Sequence, residues 1–168
     1  DENYMFTIEQ KVKNNSNKIQ SFIPYGRINR SGTPKTSGFY ILHEGPIGVL
    51  NDRLIEIDYD DLLDEKSTRN ISNGGWLGIT DKYWLAAIIP NQKSTIEAGF
   101  KATANNGVRY QAEYISSALE VQPNQEVSIK SNLFVGAKEV GLLDYYSEKL
   151  SLNMFDRAVD FGWFYLIT

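Results

Sequence analysis

Asn73-Gly74-Gly75-Trp76-Leu77-Gly78-Ile79-Thr80-Asp81-Lys82-Tyr83-Trp84-Leu85-Ala86-Ala87-Ile88-Ile89-Pro90 is the stretch on which the fold turns. Asn73-Gly74-Gly75 is a strong turn signal, and Pro90-Asn91 closes the segment. Between them, Trp76 to Thr80 and Tyr83 to Ile89 are apolar on consecutive positions, the pattern of strands covered on both faces. This pair is expected at the centre of the core, with Trp76 and Trp84 buried in it.

Working outward, Tyr4, Phe6, Ile8 and Val12 alternate with Thr7, Glu9 and Lys11, as in a half-buried strand. Asn14-Asn15-Ser16-Asn17 ends it. Ile19 to Ile28 has a mixed pattern, Arg30 to Gly38 reads as a loop, and Phe39 to Leu42 reads as a short strand closed by Gly45-Pro46. Leu54 to Tyr59 alternates again before an acidic loop through Asp60, Asp61, Asp64 and Glu65. Ile96 to Ala102 and Val108 to Ile115 flank Asn105-Asn106-Gly107, where Asn-Gly supplies the positive φ angles of a tight hairpin. Leu119 to Val121 and Val127 to Val135 flank Pro123-Asn124 in the same way. About eight or nine short strands at roughly 8–12-residue spacing give a mainly β chain, an antiparallel sandwich or barrel.

After Gly136 the hydrophobic period changes. Val140, Leu143, Tyr146 and Leu150 form a helical stripe, which Leu152, Phe155, Val159, Gly162 and Leu166 continue, with Asp156, Arg157 and Asp160 opposite. The chain therefore divides into a β portion, 1–136, and C-terminal helices, 137–168. Phe161, Trp163, Phe164 and Tyr165 crowd aromatics near the end, a composition that suits the water–lipid boundary. The longest apolar run, Phe161 to Ile167, falls far short of the roughly 20 residues that span a bilayer. Opening on Asp1-Glu2-Asn3, without Met or a basic and apolar leader, the chain reads as an excised or processed segment.

Composition narrows the function. The 168 residues suit one domain, 12% are aromatic, and the formal net charge is −4. No stretch concentrates Lys and Arg as a phosphate-tracking groove requires, so nucleic acid is not an expected partner. With no Cys and a single His, His43, thiol chemistry is excluded and a Ser-His-Asp triad has little to draw on. The acidic loop fails as a calcium loop, since counting from Asp58 the sixth position is Leu63 and the twelfth Arg69. Gly74-Gly75-Trp76-Leu77-Gly78 lacks the spacing and the Lys-Ser/Thr pair of a phosphate loop. No cofactor, metal or catalytic residue is expected. Trp76, Tyr83 and Trp84 could stack on a sugar ring, but their apolar neighbours favour packing.

The segment Asn73–Pro90 resembles the signature of the periplasmic domain of YidC insertases, with Gly75, Trp76, Gly78, Asp81, Tyr83 and Trp84 as its motif core. Further along, Phe134 to Glu139, Leu142 to Tyr146 and Phe155 to Phe164 resemble the stretch leading to that family's second transmembrane helix. Ala137 stands where many members carry Pro. The resemblance implies a β-supersandwich like that of galactose mutarotase, of which this chain is the C-terminal half to two-thirds. It implies a non-enzymatic module at the periplasmic face of the bacterial inner membrane. The parent would be a multi-pass insertase and chaperone for nascent inner-membrane proteins, working with or without the Sec translocon and its accessory subunits. The bilayer would be reached through adjoining transmembrane helices. On that basis Phe155, Asp156, Asp160, Phe161, Trp163 and Phe164 are expected on a membrane-proximal amphipathic helix. The rival reading is a carbohydrate-binding or mutarotase-like β-sandwich.

A far-UV circular dichroism spectrum should show more sheet than helix, with helix confined largely to Lys138–Leu166; the reverse would overturn the fold class.

Overall fold

The computed structural model describes residues 3–36 and 43–159. Among them twelve strands and two helices follow the order β1 (Met5–Lys13), β2 (Gln20–Phe22), β3 (Tyr25–Ser31), β4 (Gly45–Leu50), β5 (Arg53–Glu56), α1 (Tyr59–Glu65), β6 (Asn70–Asn73), β7 (Trp76–Thr80), β8 (Trp84–Ile89), β9 (Thr95–Thr103), β10 (Arg109–Ser116), β11 (Leu119–Val121), β12 (Glu126–Ala137) and α2 (Val140–Lys149). A 3-10 turn, Asp156–Ala158, follows α2.

Six strands form one sheet in the order β1-β12-β8-β7-β4-β5, and four form another in the order β3-β10-β9-β6, all paired antiparallel. β3 lies over β8 and β7, and β10 over β7 and β4, so the sheets stack face to face. One core fills the space between them, including Leu77, Ile79 and Ile88 from below and Phe100, Tyr110 and Ala112 from above. The other core lies on the far face of the six-stranded sheet, where α2 and the segment after it cover Trp76, Leu85, Ala87 and Phe134. β7 and the inner part of β8 are therefore covered on both sides, as their unbroken apolar sequence predicts. The chain crosses between sheets at Gly74 and Gly75, with φ of +67° and +98°. A Cβ on Gly75 would lie 2.2 Å from the Val49 carbonyl oxygen, so neither angle nor space admits another residue easily.

Asn106 and Gly107, at φ of +61° and +96°, close the β9–β10 hairpin as their sequence predicts. Pro123-Asn124 does not close a hairpin. β11 pairs with β2, while β12 pairs with β1 and β8. Asn14 makes that exchange possible. Its buried amide donates to the carbonyls of Lys18 and Val121 at 2.8 Å each and accepts from the Ser16 N–H and hydroxyl.

Other expectations need correction. Arg30 and Ser31 belong to β3 rather than to a loop. Gly45-Pro46 opens the buried strand β4 instead of ending a preceding one, and the Pro46 carbonyl accepts from the Ile57 N–H at 3.0 Å. The acidic loop is the helix α1, because Tyr59 and Leu62, one turn apart, bury one side while the carboxylates stay outside. The strand read at Phe39 to Leu42 lies outside the described residues.

The C-terminal stripe holds over α2, where Leu143 and Tyr146 are buried. It then breaks. Ser151 and Met154 take positive φ, Phe155 leads only a single 3-10 turn, and Val159 is extended, so no amphipathic α-helix runs through 153–159. Phe155 is fully buried, edge-on to Trp76 at 5.1 Å and to Phe134 at 5.7 Å, and therefore a core residue and not a bilayer contact. Asp156 leads the 3-10 turn, and its carboxylate lies 3.8 Å from the Arg157 guanidinium. Asp160, Phe161, Trp163 and Phe164 lie outside the described residues.

The two tryptophans of the motif should separate on truncation. Trp76→Ala should cost about 3–5 kcal/mol in chemical denaturation, whereas Trp84→Ala, at an exposed position, should stay within about 1 kcal/mol.

Candidate functional site

The motif residues fall on two sides of the six-stranded sheet and at the turn joining β7 to β8. Gly78 sits mid-sheet, paired with Ile47 on β4 and Ala87 on β8, and a Cβ there would lie 2.0 Å from the Ala86 carbonyl oxygen. Gly75 is held by Gln92, whose side-chain oxygen accepts the Gly75 N–H at 3.0 Å and whose amide donates to the Gly75 carbonyl at 2.9 Å. Trp76 is fully buried and its indole N–H donates to the Asn153 carbonyl at 3.0 Å.

Asp81, Tyr83 and Trp84 instead build an exposed turn. The Asp81 N–H closes it on the Trp84 carbonyl at 2.8 Å, and the Lys138 N–H donates to the Tyr83 carbonyl at 2.9 Å. The Glu44 carboxylate accepts the Lys82 N–H at 3.1 Å, and the Lys138 ammonium donates to the Thr80 hydroxyl at 2.9 Å. So held, the turn presents Tyr83 at 64% and Trp84 at 58% exposure. The expected burial of Tyr83 and Trp84 is thus corrected. Trp84 alternates onto the face toward the second sheet, beyond the reach of the strands that cover Ile88 on the same face.

A groove of about 200 Å³ opens beside Trp84, lined by Ile28, Arg30, Ile79, Asp81 and Val135 among others. Arg30 spans it to Asp81 with a charge-assisted contact of 2.6 Å and lies over the Tyr59 ring at 5.9 Å. Burial works to lower the Arg30 pKa, but the Asp81 bond and the nearby Asp81 and Tyr59 groups outweigh it and the net shift is upward. Burial pushes the Tyr59 phenol well above its ordinary value, only partly offset by Arg30. Tyr114 is raised by burial too, against a hydrogen bond to Ser131.

Little of this is reactive chemistry. His43 points its Nε2 at the Pro46 carbonyl, 3.0 Å away, and its Nδ1 lies 3.7 Å from Asp58, so the one imidazole is engaged with backbone and a surface carboxylate. Among the described residues no group of three or more His, Asp or Glu side chains is placed to hold a metal ion. Nor is any described helix long and apolar enough to cross a membrane.

The profile of the family described as the YidC periplasmic domain matches residues 1–168, the whole chain. The chain belongs to the YidC periplasmic domain family. Curated relatives named membrane protein insertase YidC agree, at 47% identity in Rickettsia felis, 48% in Rickettsia bellii and 46% in Rickettsia prowazekii, each over 170 aligned residues covering all of this chain. The chain spans about 30% of the length of these relatives. As a YidC periplasmic domain it is a non-catalytic module of an inner-membrane protein.

Sequence reasoning missed the Arg30–Asp81 bridge, because the partners lie 51 residues apart, one on β3 and the other in the turn between β7 and β8, and Arg30 reads as loop. The exposure of Tyr83 and Trp84 was missed for a related reason: an apolar run says that a strand is covered, not where the cover ends.

Stability should fall at alkaline pH. Below pH 10.0, the ordinary phenol value, Tyr59 is neutral folded or unfolded and costs nothing; above it the unfolded phenol ionises while the buried one resists, which favours unfolding. The urea midpoint should therefore drop between about pH 9 and 11.5, and Tyr59→Phe should flatten that drop.

Proposed function

We propose that this domain is the periplasmic accessory module of an insertase that helps nascent inner-membrane proteins insert and fold. In this reading it orients the membrane-embedded core and offers surface to the Sec translocon and its accessory subunits. The observation that carries the proposal is the match along the whole chain to relatives named membrane protein insertase. The bond-closed turn that holds Tyr83 and Trp84 in solvent supplies a rigid aromatic contact of the kind that anchors protein interfaces. A supersandwich of the galactose mutarotase type is the architecture proposed for the complete domain, and two stacked antiparallel sheets are compatible with it. Residues 137–168 are proposed to lead toward a transmembrane segment, with Phe161, Trp163 and Phe164 as the aromatic approach to the bilayer.

The rival sugar-binding reading gains Trp84 as an exposed ring, but the polar groups of the groove are already engaged, with the Asn29 side-chain oxygen accepting from the Gln111 amide at 2.9 Å. The two charged groups of the groove are spent on each other across 2.6 Å, and Ile28, Ile79 and Val135 make up much of the rest.

The test is complementation by the full-length protein in cells depleted of their own insertase. A Tyr83→Ser, Trp84→Ser variant should accumulate normally, yet recover less Sec translocon on purification and slow growth at low expression. Normal growth and full recovery of the translocon would remove the turn from the proposed interface.

A further inference from the structure

The outward face of the four-stranded sheet changes character from one end of its strands to the other. Register places Ile71 of β6 beside Glu97 of β9, Glu97 beside Ile115 of β10, and Ile115 beside Tyr25 of β3, in one row across the sheet. Alternation turns these side chains away from the core. Ile71 is 70% and Tyr25 44% exposed, and Ile23, just ahead of β3, is 61% exposed. This end of the sheet is an apolar rim in open solvent.

Two residues further along each strand, about 7 Å on, the face becomes cationic. Arg27 and Arg69 stand in that row, Lys101 lies beyond them, and Lys93 in the β8–β9 turn adds a cation at the apolar end itself, all of them exposed. The carboxylates of Glu97 and Glu113 both accept from Arg69, at 2.7 and 3.4 Å, so Arg27, Lys93 and Lys101 are left to carry positive charge outward. At the far end the sign reverses. The Lys66 carbonyl accepts the Ala102 N–H at 2.9 Å, which sets α1 there with Asp60, Asp61, Asp64 and Glu65 in solvent.

We propose that the Ile71–Tyr25 end of this sheet rests on an anionic bilayer surface, with Ile23, Tyr25 and Ile71 at the acyl boundary and Arg27, Lys93 and Lys101 drawn to the headgroup phosphates. Apolar, cationic and acidic is the order of side chains that suits acyl chain, phosphate and water in turn. A protein partner needs no such grading along one axis. The last described segment reaches the same end. The Asn153 amide donates to the Asp52 carboxylate at 3.0 Å, and the neighbouring Asn51 amide donates to the Ile71 carbonyl, so the chain that continues into 160–168 is anchored near Ile71. The proposal rests on the reading above only in taking that continuation to lead toward a transmembrane segment.

The test uses the full-length protein, freed of any other cysteine, in lipid nanodiscs. A nitroxide attached through Ile71→Cys, at an exposed position, is compared with one attached through Asp61→Cys on α1. In discs containing phosphatidylglycerol, the label at 71 should be shielded from a water-soluble nickel complex and open to dissolved oxygen, while the label at 61 stays open to nickel. Arg27→Gln, Lys93→Gln and Lys101→Gln together remove three cations, each worth about fivefold at an anionic surface, and should lower the docked-to-free ratio on the order of 100-fold. The circular dichroism spectrum should not change, since all three side chains are exposed. A label at 71 as open to nickel as the label at 61 overturns the proposal. So does shielding that is unchanged in pure phosphatidylcholine discs, which removes the anionic surface, or shielding that appears only when the Sec translocon is added, which makes the occupant a protein. Neither insertion nor growth is read, so failure here leaves the function proposed above standing.

Discussion

The indole of Trp76 holds three parts of the molecule in one place. It sits on the central strand β7, meets Phe155 edge-on, and donates its N–H to the Asn153 carbonyl. Phe155 in turn meets Phe134 of β12, which meets Tyr146 of α2 at 6.2 Å. This chain of perpendicular rings binds the irregular segment after α2 to the outer face of the six-stranded sheet. Aromatic pairs of this geometry add about 0.5–1.5 kcal/mol each beyond the area that they bury. Without them a short helix with loosely turned chain behind it has little reason to stay down. Since the same sheet carries the intersheet core on its other face, both cores depend on β7 keeping its place.

That dependence explains the glycines around Trp76. Gly78 lets β4 and β8 approach β7 closely, and Gly75 lets the chain leave the upper sheet at an angle that side chains resist. The segment Asn73–Pro90 is thus largely a packing device on one half, Gly75 to Gly78, and an exposed feature on the other, Asp81 to Trp84. Its two halves serve different ends.

How far the sequence revealed this follows the same division. Periodicity exposed the doubly covered strands, the Asn106-Gly107 hairpin and the helix at α2, because each is dictated by residues near one another in the chain. The pairing of β11 with β2 was hidden, since it depends on the buried Asn14 amide reaching Val121, a contact with no local trace. The helix α1 was masked by its carboxylates, which outnumber the two apolar residues that place it. Phe155 has the spacing of an amphipathic stripe, and only the positive φ of Ser151 and Met154 turns it from an outer surface into the core. In the exposed turn, the aromatics Tyr83 and Trp84 have the same residue types as a core; Tyr83 lies in the turn itself, and Trp84 opens β8 where the cover from the second sheet gives out.

The Tyr146 hydroxyl donates to the Asn3 carbonyl at 3.1 Å, which sets the start of the described chain against the helix near its end. With the adjoining Tyr4–Phe134 ring pair at 6.3 Å, this bond clasps the residues ahead of β1 to the helical layer, so prising α2 off the sheet would also have to free the head of β1.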